Sequence, residues 1–165
     1  MAQNLTDSVL TASVRIYDLL TANAAALGLV GPTKTNVWYG DQTLLPETPA
    51  VCIEPGTKSR ELRGVPDMTE NTLDVHILLY HSVVGTEQQV ARRATIQFAE
   101  AIERYLHVNH LNMLNSIGEQ IIVHGFVRSS DPGFQYKTST MYNAVHMIWT
   151  GLTKTSLRNP NNPVP

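Results

Sequence analysis

Apolar and polar positions along the chain follow two rhythms. Between Asp7 and Leu27 the rhythm is helical. Val9, Leu10, Ile16, Tyr17, Leu20, Ala24 and Leu27 share one side at ~100° per residue, with Thr11, Arg15 and Asp18 opposite. The spacing predicts a first helix over 7–27, stopped by Gly28 and kept from resuming by Gly31–Pro32. A second helical run follows Thr86, which forms a capping-box pattern with Gln89, while Glu87 suits the positive N-terminal pole. This run reaches Tyr105 or His107, with Val90, Ala94, Phe98, Ala101, Ile102 and Tyr105 as the expected core stripe. Gln89, Arg93, Glu100, Glu103 and Arg104 form the wet side, and Glu100 with Arg104 has the spacing of a surface ion pair. Ile96 breaks the pattern by projecting among Arg92, Glu100 and Glu103, which makes it a candidate contact residue.

Elsewhere the period is two. From Thr72 to Ser82, Leu73, Val75, Ile77 and Leu79 point one way, and Asp74, His76, Leu78 and Tyr80 the other. The second set begins polar and ends apolar, so that face is expected to be half covered. "TNVWYG" predicts a short strand ending in a Gly-Asp turn, "LLPETP" is too proline-rich for a central strand, and "AVCIEPG" predicts a brief buried strand stopped at Pro55–Gly56. An aperiodic loop of roughly fifteen residues then leads into the strand from Thr72, longer than the usual four to six. "EQIIVHGFVRSS" reads as a strand with a glycine interruption that suggests a bulge, "DPGFQYK" as the turn, and "TSTMYNAVHMIWTGLTKTSL" as its long antiparallel partner. The order helix, strands, helix, strands predicts an α+β domain over 1–157. Its sheet is mainly antiparallel, with two helices packed on one face. Residues 158–165, rich in Pro and Asn, are expected to form an extended C-terminal arm.

Composition narrows the function. The 165 residues fit one domain with a real core, since a chain of this size buries about 70% of its unfolded surface. Twelve Lys and Arg against fourteen Asp and Glu show no basic excess, so nucleic acid is not the expected principal ligand. The single cysteine, Cys52, lies among Ala50, Val51 and Ile53 and is expected to be a small buried hydrophobe in a reducing compartment. The first residues lack the order of a signal peptide, and no apolar run approaches the ~18 residues of a membrane span.

The sequence offers little that points to catalysis. His107 and His110 sit at a helix end without the further ligands that zinc requires. Asp74 and His76 share a strand face and could pair as acid and base, but no nucleophile accompanies them. His81 and Ser82 are adjacent and point to opposite faces. No dinucleotide or phosphate-binding glycine loop is present. No catalytic residue, cofactor or metal is expected. The loop before Thr72 remains: Arg60, Glu61, Arg63, Asp67 and Glu70 place both signs of charge in a segment without its own core. Such charges either meet solvent alone or form a polar subunit contact that sets orientation.

The stretch "EPGTKSRELRGVPDMTENTLDVHILLYHS", followed by a short gap and a long charged helix, resembles the head-to-tail joining proteins of tailed bacteriophages. The closest type is the tail terminator, or tail completion protein. The likeness rests on Glu54–Gly56, Arg60–Leu62, Gly64, Thr69–Asn71 and Val75–Ser82, and the element order agrees over 5–157. The resemblance implies a non-enzymatic virion protein assembled in the host cytoplasm. Its ring, expected to hold six copies, caps the tail tube, stops polymerisation and joins the tail to the head connector. The implied partners are further copies of the chain, the tail tube protein, connector or neck proteins, and sheath protein where the tail contracts. DNA would pass the lumen only incidentally. Candidate contacts are Arg60, Glu61, Leu62, Arg63 and Asp67 in the loop, Asp74, His76 and Tyr80 on the strand, and Ile96 on the helix. A neck adaptor or stopper is the alternative within the virion. A small ligand-binding or enzymatic domain around Asp74, His76 and Tyr80 is the alternative outside it.

Overall fold

In a computed structural model of the protein, which describes residues 9–31, 34–62, 68–82, 88–109 and 124–156, the alternating run becomes the central strand. The elements are α1 (Val9–Ala22), β1 (Val37–Tyr39), β2 (Ala50–Leu62), β3 (Met68–Ser82), α2 (Gln88–Val108), β4 (His124–Lys137) and β5 (Thr140–Ser156). The strands lie in the order β1-β2-β3-β5-β4. β1 runs parallel to β2, and every other neighbour is antiparallel. This is the expected α+β architecture. No described helix is long and apolar enough to cross a membrane.

Leu73, Val75, Ile77 and Leu79 are fully buried on one face of β3, flanked by Val51 and Ile53 of β2 and by Val145, Met147 and Trp149 of β5. Ala12, Ile16 and Leu20 of α1, and Ala99, Ile102 and Leu106 of α2, close over this face. The turn after α1 ends as a Schellman motif. Gly28, at φ 69°, donates to the Ala25 carbonyl at 3.2 Å, and Leu29 to that of Ala24 at 2.8 Å. The α-helix itself ends at Ala22, short of the expected Leu27, and residues 23–28 form turns that Gly28 closes. A Cβ there would also meet the Phe98 ring of α2 at 3.1 Å.

The buried face of α2 differs from the expected stripe. Ala91, Thr95, Ala99, Ile102 and Leu106 are buried, Phe98 and Tyr105 are half-buried, and Val90 is 53% exposed. The face is rotated by about one residue because the sheet selects small side chains for close approach, and Thr95 satisfies its hydroxyl on the Ala91 carbonyl at 2.7 Å. The expected pair of Glu100 and Arg104 does not form: Arg15–Asp18 is the ion pair seen within a described helix. Thr86 and Glu87 lie outside the described residues, as do His110 and the C-terminal arm.

The strands are longer than expected. β2 does not stop at Pro55–Gly56 but continues to Leu62 through a register shift between Pro55 and Lys58. β1 covers β2 only from Val51 to Ile53, so among the described residues no strand pairs with Pro55 on that side and its missing donor costs little. The expected long loop is largely a hairpin, with Arg60 opposite Asn71 and Leu62 opposite Thr69, and β5 flanks it through Met68↔Ser156. Likewise "DPGFQYK" is not a turn. It is the second half of edge strand β4, and the turn is Thr138–Ser139, with Thr138 at φ 56°. The β4 bulge falls at Arg128, between Val127 and Ser129, rather than at Gly125. Gly125 serves close packing, since a Cβ there would lie 2.2 Å from Trp149 Cζ2. Gly125→Ala is expected to destabilise the fold by about 1–3 kcal/mol through overpacking. Gly133→Ala, on the same strand with open space around it, should leave the urea midpoint near wild type.

Candidate functional site

With both helices on one face, the other face of the sheet displays Asp74, His76 and Tyr80 in a row. Each lies in a different setting. At the Tyr80 end, residues 41–49 fold over a small second core of Leu45, Ala50, Cys52, Tyr80 and Tyr142. The Tyr80 hydroxyl donates to Asp41 Oδ1 at 3.0 Å and lies 3.1 Å from the Gln135 side-chain oxygen. A phenol has one proton, so Asp41 takes it, and a half-turn of the Gln135 amide lets that side chain donate in return. Lys137, with its side chain 5% exposed, forms a short ion pair with Asp41, donates to the Gln42 carbonyl at 2.6 Å and stands 4.5 Å from the centre of the Tyr80 ring. Burial, reinforced by the Asp41 charge, holds the Tyr80 phenol well above its usual range. Burial also pushes the Cys52 thiol up to about 11. Both groups therefore stay protonated at neutral pH and are poor nucleophiles.

In the middle of the face, His76 Nδ1 and His146 Nε2 share a hydrogen bond of 2.8 Å, with ring centroids 5.0 Å apart. Glu54 stands opposite His76 on β2, and Asp131 opposite His146 on β4. Burial lowers the His146 pKa, the His76 charge lowers it further, and Asp131 and Glu54 oppose the change. At the open end, Asp74 accepts from Thr150 Oγ1 at 2.7 Å and Thr57 Oγ1 at 3.2 Å, with Arg128 at 3.5 Å. Asp74 and His76 thus do not form the acid–base pair their spacing allowed: each is held by a different neighbour.

The remaining candidates lie elsewhere. Arg60 and Glu61 are exposed on the β2–β3 hairpin. Arg60 stands in register with Asn71 and Glu61 with Glu70. Leu62 ends β2, but its side chain lies outside the described residues, as do Arg63 and Asp67. Ile96 is not on an open wet surface. It is half-buried in a groove of about 230 Å³ between α2 and β4, lined also by Ala99, Glu100, Glu103, Ser130, Pro132 and Val145. His107 lies at the helix end as expected, where it accepts the Val127 N–H at 3.0 Å and fastens α2 to β4.

Sequence reasoning missed Asp41, Lys137, Gln135, His146, Arg128 and Thr150. Only His146 left a signal, as a polar residue inside a strongly apolar strand. Among the described residues, no three His, Cys, Asp or Glu side chains converge as a metal site would require. No known family model matches the chain, and no curated protein matches it.

Two stability effects follow from this face. Lys137→Met strands the Asp41 carboxylate and should destabilise by about 2 kcal/mol in urea melts. This is below the roughly 3–5 kcal/mol of a fully buried pair, because the Asp41 side chain keeps 33% of its surface in water. The His146 pKa is held below the ordinary imidazole value of about 6.5, so the folded state binds fewer protons than the unfolded chain just below that pH. Its contribution is complete above that range and is lost as the pH falls through it. His146→Gln should flatten the unfolding free energy between about pH 7 and 5.

Proposed function

We propose that the chain is a structural protein of a tailed-phage virion. It acts as a tail terminator whose copies close into a ring on the tail tube, end its growth and offer a surface to the head connector. The carrying observation is that the two sides of the sheet present unlike surfaces. On one side, β2 beyond Ile53 has β3 as its one strand neighbour among the described residues, and its hairpin bears Arg60 and Glu61. On the other, β4 has β5 as its one strand neighbour among the described residues and borders the α2 groove. A closed ring joins copies through two different patches, so each subunit needs unlike contact surfaces. Pro55 and Pro132, together with the register shifts at both edges, discourage indiscriminate strand pairing and favour contact through side chains. The polar groups of the outer face are engaged with one another, which suits a surface that holds its shape.

Tail assembly without the protein is the test. Tails of uneven length that fail to join heads are expected, whereas uniform tails that attach to heads would overturn the proposal. Binding of the purified chain to connectors but not to tube ends would reassign it to the neck adaptors.

A further inference from the structure

Resting on the ring proposed above, we infer that neighbouring subunits are joined by Arg60 of one copy entering the α2–β4 groove of the next. There its guanidinium meets Glu100 and Glu103. The groove is lined by the apolar Ile96, Ala99, Pro132 and Val145 together with those two glutamates and Ser130. Such a site suits a side chain with an aliphatic stem and a cationic head. Arginine suits it best, because its planar fork can bind two carboxylate oxygens at once and gives up its hydration more readily than lysine.

Three further observations select Arg60. First, the charges are available on both sides: Arg60, Glu100 and Glu103 make no ion pair among the described residues, and Arg60 and Glu100 are exposed. Arg104 follows Glu100 by one turn but forms no ion pair with it. Second, hairpin and groove lie three strands apart in the order β2-β3-β5-β4, about 14 Å across the sheet. They cannot meet within one subunit, and they form the non-overlapping pair that a head-to-tail contact needs. Third, the competing cations Arg92 and Arg93 share a helix with Glu100 and Glu103. A contact in which Arg92 and Arg93 of each copy met Glu100 and Glu103 of the other would be isologous and close at two copies, not in a ring.

The test is a charge exchange in the full chain, read as ring formation by mass photometry, alone and on isolated tail tubes. Arg60→Glu should weaken association about tenfold, as should Glu100→Arg with Glu103→Arg. The triple variant restores opposite charges across the joint and should recover association to within about threefold of wild type. All variants should keep the wild-type melting temperature, which separates loss of contact from loss of fold. A ring indifferent to the changes, a triple variant that stays impaired, or a two-fold dimer through α2 would overturn the Arg60 joint while leaving the ring intact. A wild-type chain that stays monomeric even on tail tubes would instead remove the ring itself.

Discussion

The row Leu73, Val75, Ile77 and Leu79 constrains everything else in the molecule. These four side chains are fully buried, and each fully buried aliphatic contributes on the order of 1.5–3 kcal/mol as an upper estimate. They draw both helices to one face of β3, α1 over β1 and β2 and α2 over β4 and β5. With both helices committed there, the opposite face has no helix left to cover it. The protein solves this in two ways. Residues 41–49 fold over the apolar end and are held by Lys137, and the polar end pairs its own groups across strands.

A contrast in electrostatics follows. On the outer sheet face, Asp41, Lys137, Tyr80, His76, His146, Asp74 and Arg128 all have partners within the chain. On α2 and the β2–β3 hairpin, Arg60, Glu100 and Glu103 have no ion-pair partner among the described residues. Groups tied to one another resist rearrangement and have little to offer a second molecule. Unpaired charges beside an apolar groove gain most from one. The row that first drew attention, Asp74 to Tyr80, is thus better suited to holding the sheet's shape, and the contact surface is better sought at the two sides of the sheet.

Much of the fold could be read along the chain, and much of the site could not. Helical spacing located α1, and Gly28 marked the close of the turns that follow it, because a left-handed residue there is a local requirement that glycine meets. Alternation located β3 and assigned both of its faces, since side-chain direction in a strand follows from residue parity alone. The β4–β5 hairpin was visible through β-branched and aromatic residues. Its turn was misplaced because proline and glycine mark turns and edge strands alike, and only the register with β5 tells them apart. The α2 face was misjudged by one residue because the apolar arc is broad and the sheet decides which part of it is buried.

What the sequence determined by itself was whatever depends on neighbours a few residues away: element type, strand faces, the left-handed turn at Gly28 and the burial of Cys52. Tertiary structure alone decided the partners. Tyr80 meets Asp41 and Gln135, Lys137 meets Asp41, His76 meets His146, and Asp74 meets Thr150, across separations of 39 to 96 residues. Periodicity carries no information over such distances. A polar side chain in a strand reveals the face it occupies, while its charge state and availability are set by whichever strand packs alongside.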